Sequence, residues 1–235
     1  MKKRIGILLG VILAISALVA VFIIADGHNH TRTFSFQDTV RLAEAVNYDD
    51  YEPNSIIPAD KNSGDIAEKI EGDKDAPIFI YEYADYACSH CAEANAVVNK
   101  ILKDYDGKIA LVFRGYLISY FRNNVIASSA ATAAQLQGYW EEYKNLLFEN
   151  QATWYYQSGT KLRDYLGELF TEASNGQGDL DKFYQDLSSD NVAKRVAFEY
   201  GIGSKVDISG TPTFYINDEA VSASQLKETV EKLLK

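Results

Sequence analysis

The chain opens on three basic residues, Lys2, Lys3 and Arg4, and then runs without a charge from Ile5 to Ile24. Those 20 residues have the length of a helix that crosses a bilayer. From residue 25 to about 75 the pattern turns polar and acidic, with turn-forming clusters at Pro53-Asn54-Ser55, Pro58-Ala59-Asp60 and Asn62-Ser63-Gly64-Asp65. One short helix is predicted there, from Asp38 as cap to Val46, because Val40, Leu42, Ala43 and Val46 fall near one face. From Ala76 the pattern is that of a folded domain. Ile78–Tyr83 reads as a strand, Ser89 to about Lys103 as a helix, and Ile109–Arg114 as a buried strand, so the three predict a βαβ unit with a parallel pair.

A helical region follows. Val125–Gln137, Tyr139–Asn150, Lys161–Ala173, Leu180–Leu187 and Asn191–Tyr200 each show apolar residues at helical spacing or rich alanine, with breaks at Gly138, Asn175-Gly176 and Gly201. Trp154 falls in the loop between the second and third of these, without a clear role. Then the pattern changes again: Thr213–Ile216 reads as a strand, Asn217-Asp218 as a turn, Ala220-Val221 as a short paired strand, and Ser224 as the cap of a last helix to Leu234. The expected organisation is a membrane anchor over 1–24, a polar tether over 25–75, and an α/β domain over 76–235 with a helical insertion at about 117–190.

Positive charge before the apolar run keeps the N-terminus in the cytoplasm and sends the body across the membrane. The end of the run, Phe22-Ile23-Ile24-Ala25-Asp26, puts Ile where a cleavage site has a small residue, which favours an uncleaved anchor over a signal peptide. The chain is 47% hydrophobic, enough for a core. Its net charge is −10, and −13 once the three leading basic residues are set aside. So acidic a body argues against nucleic acid as a partner. The 16 tyrosines and 11 phenylalanines are mostly core, although tyrosine also suits contact with loosely defined peptide surfaces.

The only two cysteines are Cys88 and Cys91, spaced Cys-x-x-Cys. Two cysteines placed at random in a chain of this length would land three apart about 1 time in 100. The pair sits where a strand ends and a helix begins. Unpaired N–H groups and the partial positive charge of the first helical turn favour a thiolate there, and a lowered thiol pKa makes a nucleophile at neutral pH. A zinc site needs about two more ligands. Only His28, His30 and His90 exist, and the first two fall in the tether, where solvated histidines are the plainer account. A structural disulfide across so short a loop constrains the unfolded chain little. Redox chemistry is the leading reading.

The residues resemble the thioredoxin fold in its DsbA-like form. Three segments carry the resemblance: Glu82 through Cys91; Phe113-Arg114 to Leu117 with Asn124–Ala134 and Trp140–Gln151; and Gly210-Thr211-Pro212-Thr213-Phe214. Prolines common in the family are absent at Tyr116-Leu117-Ile118 and Phe121-Arg122-Asn123, and Ser89-His90 replaces the Pro-His of the most oxidising members. The resemblance implies Cys88 as nucleophile and Cys91 as buried resolving partner. It implies His90 as a donor to sulfur, against the plainer reading of a surface histidine. It implies Glu82 as a proton-handling acid beneath the pair, against an exposed strand carboxylate. Glu82 shares strand parity with Ile78 and Ile80, which favours the buried position. Pro212 resembles the family's cis-proline that faces the cysteines, the alternative being a trans proline opening a strand. Thr211 before it offers backbone to a substrate strand. Asp85 reads as a turn residue.

The implied protein is a membrane-tethered extracytoplasmic thiol-disulfide oxidoreductase, foremost an oxidase acting on exported protein thiols and reoxidised by a membrane redox partner. A reductase or isomerase of the same fold and a non-catalytic chaperone or adaptor are the alternatives. No motif for a metal, nucleotide or flavin is present, so no cofactor is expected.

Overall fold

The computed structural model describes residues 32–235. The apolar run of 5–24 and the histidines at 28 and 30 lie outside the described residues. Among those described, no helix is long and apolar enough to cross a membrane.

Five strands form one sheet in the order β1-β3-β2-β4-β5, where β1 is Lys69–Gly72, β2 Ile78–Ala84, β3 Ile109–Gly115, β4 Thr213–Ile216 and β5 Glu219–Val221. The predicted βαβ unit is its centre: β2 and β3 run parallel, with Glu82 opposite Phe113, and a helix crosses between them. β4 lies antiparallel on the other side of β2, and β5 returns from it as a hairpin. The nine α-helices of the described chain are α1 Phe36–Glu44, α2 Ser89–Asp104, α3 Asn124–Gln135, α4 Trp140–Glu149, α5 Gln151–Trp154, α6 Gly159–Ala173, α7 Leu180–Leu187, α8 Asp190–Lys205 and α9 Leu226–Leu233.

Strand alternation divides the core. Ile78 and Ile80 of β2, with Leu111 and Phe113 of β3, pack beneath α2, α9 and the inserted helices α3 to α7. Tyr81, Tyr83 and Val112 face the other way, onto Phe198 and Ile202 of α8. Trp154 is wholly buried, its indole N–H donating to the Leu147 carbonyl at 2.8 Å. It is a core residue of the insertion.

Of the tether expected over 25–75, residues 33–75 belong to the folded unit instead, and residues 25–31 lie outside the described residues. The helix at its start is capped by Ser35 rather than Asp38: Ser35 Oγ accepts from the Asp38 N–H while the Asp38 carboxylate accepts from the Ser35 N–H. This helix, α1, packs on α8, and β1 adds an antiparallel edge strand beside β3. Most of the segment's charges do face water, but Glu68 and Lys69 are buried and paired. Glu68 accepts from Arg114 Nε at 2.7 Å and from the Ile57 N–H at 2.9 Å, and Lys69 pairs with Glu199 of α8; all four charged side chains are buried. Arg114 also donates to the carbonyls of Pro53 and Ser55, clamping the irregular stretch onto the sheet.

Gly201 was expected to end a helix and does not. α8 continues to Lys205, and a Cβ at Gly201 or Gly203 would strike the rings of Tyr48 and Tyr116. These glycines make room for aromatic side chains from other segments. The last helix is entered through a short 3-10 turn at Ala223–Gln225, capped by Ser222 rather than Ser224.

Candidate active site

β2 delivers Tyr83, Ala84 and Asp85 to the top of the sheet, and the chain turns there into α2. Asp85 makes the turn: its carbonyl accepts from the Cys88 N–H at 2.9 Å and its Oδ1 from the Ala87 N–H at 2.9 Å. Cys88 is then the N-cap of α2, in extended conformation, with its own carbonyl accepting from the N–H groups of Cys91 and Ala92. Cys91 lies one turn inside. Both are free thiols. Cys91 is 0% exposed and Cys88 4%.

The two sulfurs differ sharply. A hydrogen bond from the Cys91 thiol, opposed by burial and reinforced by the backbone N–H groups of Cys91 and His90, holds the Cys88 thiol down at about 5. Burial, and then the neighbouring Cys88, push the Cys91 thiol far above its ordinary range. One sulfur is a ready nucleophile and the other a thiol that gives up its proton only with help.

The site residues expected from the sequence come together with one change of role. Thr211 faces Cys88, whose thiol donates to the Thr211 carbonyl at 3.4 Å, and the Thr211–Pro212 bond is cis. The Thr211 side chain also helps to hold the Cys88 thiol down. Glu82 is 2% exposed on the same sheet face as Ile80, and its charge is felt at Cys91. Burial lifts its carboxyl to about 7, with Lys144 pulling down and Glu71 pushing up. Its Oε1 has no hydrogen-bond partner. His90 is the correction. Its ring is exposed on the first turn of α2, with Nδ1 3.4 Å from Oε2 of Glu93 one turn on, so only its backbone N–H acts on Cys88.

Three residues have parts in the site that the sequence did not assign them. Asp85 is more than a turn residue: its Oδ2 accepts from the Ile118 N–H at 2.8 Å and from Asn124 Nδ2 at 2.9 Å, which ties the cysteine turn to the start of the insertion. Burial lifts its carboxyl to about 6. Gln151 donates from Nε2 to the carbonyls of Tyr86 at 2.7 Å and Cys88 at 3.0 Å. Its place at the end of Leu-Leu-Phe-Glu-Asn-Gln, one of the segments that carry the family resemblance, was the signal that could have found it. Lys144, wholly buried in α4, pairs with Glu71 and donates to Asn99 Oδ1 at 3.2 Å. A lone lysine in a helical pattern gives no such signal.

A family model described as thioredoxin matches residues 65–235. A Na(+)/H(+) antiporter NhaA 3 of Salinispora tropica is 30% identical over 163 residues, 69% of this chain. The chain spans only 23% of that protein's length, so it matches a part of it. Disulfide bond formation protein D of Bacillus subtilis is 27% identical, and the match covers 72% of this chain and 78% of that protein. Among solved structures, oxidised BdbD from Bacillus subtilis superposes with a TM-score of 0.62 at 24% identity, covering 77% of this chain and 99% of that one.

Proposed function

Because the chain belongs to the thioredoxin family, in its DsbA-like form, we propose that it is an extracytoplasmic thiol-disulfide oxidoreductase that forms disulfides in exported proteins. The observation that carries this reading is the asymmetry of the pair. Cys88 caps a helix N-terminus beside the Thr211 backbone, while Cys91 is sealed one turn inside. The name of the Bacillus subtilis relative points to the same reaction.

The reaction starts from the Cys88–Cys91 disulfide. A substrate thiolate attacks the Cys88 sulfur, and a mixed disulfide forms as the Cys88–Cys91 bond breaks. Cys91 leaves as a thiolate and takes a proton, for which the buried Glu82 carboxyl, lifted to about 7, is the donor. A second substrate thiolate then attacks the substrate sulfur of the mixed disulfide, and Cys88 departs as a thiolate. Two substrate thiols lose two electrons and two protons, and the enzyme disulfide takes up both electrons. Thiolate stabilisation at Cys88 makes the second departure favourable and the disulfide oxidising. Thr211 and Pro212 form the wall beside Cys88 where an extended substrate strand would lie. His90 contributes through its N–H. A membrane redox partner, quinone-linked as the family resemblance implies, would restore the disulfide, and the Ile5–Ile24 run would hold the enzyme beside it.

Equilibration of the Cys88–Cys91 pair with glutathione tests the direction. A potential above about −200 mV is expected for an oxidase. A value below about −250 mV would assign the chain to the reductases instead.

A further inference from the structure

Asp85 is wholly buried in the turn from β2 to α2. Its carboxylate takes three hydrogen bonds: from the Ala87 N–H at 2.9 Å, from the Ile118 N–H at 2.8 Å and from Asn124 Nδ2 at 2.9 Å. All three donors are neutral. The other buried carboxylates of the described chain stand near cations: Glu68 beside Arg114, Glu199 beside Lys69 and Arg195, and Glu82 within the pull of Lys144. Among the described residues no cation pairs with Asp85. The charge felt at it is that of Cys88, which pushes the carboxyl up.

A turn of this kind needs one side-chain acceptor, which a neutral asparagine also supplies. A full charge is costly to bury without a cation. What the charge adds is electrostatic, and it acts on the neighbour whose own charge changes. In the oxidised chain the Cys88 sulfur is bonded to Cys91 and neutral. Reduction leaves it a thiolate and sets a second anion in the same turn. Two like charges in one site disfavour each other. The other neighbours do not relieve this. From α2, Cys91 keeps its proton and the His90 ring turns out to Glu93. From the loop after β3 and from α3 come the Ile118 N–H and the Asn124 amide, neither of which titrates.

We propose that Asp85 is a positioning residue that restrains the oxidising power of the pair: its charge opposes the Cys88 thiolate that the helix N-terminus favours, so the disulfide is a weaker oxidant than the same turn with a neutral residue would make it. The inference rests on the thiol-exchange reading of Cys88 and Cys91. Both parts of the domain build the restraint, because Ile118 and Asn124, at the start of the insertion, hold the carboxylate charged and in place. Above the range where Asp85 titrates, two glutathione thiols reduce the disulfide to one Cys88 thiolate and one Cys91 thiol, and one glutathione disulfide and one proton are released. The repulsion also acts in reverse: reduction makes Asp85 hold its proton more tightly.

The test equilibrates the full chain with glutathione at pH 8 and at pH 4.5, and compares the parent with Asp85→Asn and Asn124→Ala. At pH 8, Asp85→Asn should favour the reduced form about tenfold or more over the parent, equal to about 30 mV of potential. At pH 4.5 the Asp85 carboxyl, lifted to about 6, is protonated, and that ratio should fall close to one. Asn124→Ala cuts a hydrogen bond of the turn but keeps the charge, so it should move the equilibrium at pH 8 far less. A ratio of one at pH 8, a tenfold ratio that persists at pH 4.5, or an Asn124→Ala shift as large as that of Asp85→Asn would each overturn the proposal. Should Asp85→Asn not fold, the parent alone decides. Carbon-13 NMR should find the Asp85 carboxyl titrating about one pH unit higher in the reduced chain than in the oxidised one, and one midpoint for both would overturn the proposal. A parent chain that exchanges with glutathione at neither pH would overturn the thiol-exchange reading itself and this inference with it.

Discussion

Gln151, the first residue of α5, donates one hydrogen bond to the carbonyl of Cys88 at 3.0 Å and a second to that of Tyr86 at 2.7 Å. The inserted helices thereby hold the cysteine turn from above, as Asp85 and Asn124 hold it from the side. Gln151→Ala should cost about 1–2 kcal/mol in urea unfolding through the two lost bonds. Gln151→Glu sets a carboxylate against two carbonyls and close to the Cys88 sulfur, so it should move the Cys88 thiol upward, read by ultraviolet thiolate absorbance. Identical titrations for the Ala and Glu variants would separate this residue from the sulfur electrostatically.

In the reduced parent chain, Cys88 should titrate near 5. Its folded pKa lies below its ordinary value of 9.0. The sign follows: the stabilisation it lends the reduced protein is complete above about pH 9 and is lost as pH falls through about 5. The stability gap between reduced and oxidised forms should therefore narrow over that window. Because the Cys91 thiol contributes most to the depression, Cys91→Ala should titrate higher than Cys91→Ser, which keeps a hydroxyl donor. Cys91→Ser should accumulate mixed disulfides with substrate, and Cys88→Ser should form none.

Glu82 behaves in the opposite sense. Burial raises its carboxyl from 4.5 to about 7. The folded chain holds this proton more tightly than the unfolded chain, so stability is full below pH 4.5 and is lost as pH rises through about 7. Glu82→Gln escapes that loss. Denaturant unfolding should find it about as stable as the parent at pH 4.5, and up to about 3 kcal/mol more stable at pH 9. The same substitution should remove the inflection near 7 from the pH profile of thiol exchange. An unchanged profile would end the case for Glu82 as proton donor.

Glu199 is the anion on which the N-terminal segment is fastened. It pairs with Lys69 of β1, accepts from Arg195 Nε at 2.8 Å and takes the Gly115 N–H at 2.8 Å, all buried. Glu199→Ala would strand the buried Lys69 and leave Arg195 only Glu68, at 3.7 Å. The expected cost is about 3–5 kcal/mol in chemical denaturation. A loss below about 1 kcal/mol would mean that this cluster contributes no more than a surface pair does.

The legible part of the site was local. Cys88 and Cys91 declare themselves by spacing, and the strand before and helix after them by periodicity. Glu82 could be placed on the buried face because strand side chains alternate strictly. Pro212 stood out because it opens a strand, and Thr211 only through the family resemblance of Gly210-Thr211-Pro212-Thr213-Phe214. Where an expectation changed, the partner was remote in the chain. The tether was misread because Lys69 and Glu68 find Glu199 and Arg114 across 130 and 46 residues. Gly201 looked like a stop because Tyr48, which fills the space beside it, is remote in sequence. His90 lies between the cysteines in sequence, yet its side chain leaves the helix toward Glu93.

The amino-acid order by itself determined most elements after Ala76, the βαβ centre, the redox pair at a helix N-terminus and the buried parity of Glu82. Each follows from steric and hydrogen-bonding rules that act within a few residues. Only the tertiary structure decided that the segment before β1 is part of the domain, that Asp85 and Gln151 brace the cysteine turn, and that the rings of Phe36, Tyr116 and Tyr200 meet. Those outcomes depend on which distant groups the packed chain leaves facing one another. A buried charge and a solvated one are written with the same residue, and only its partner tells them apart.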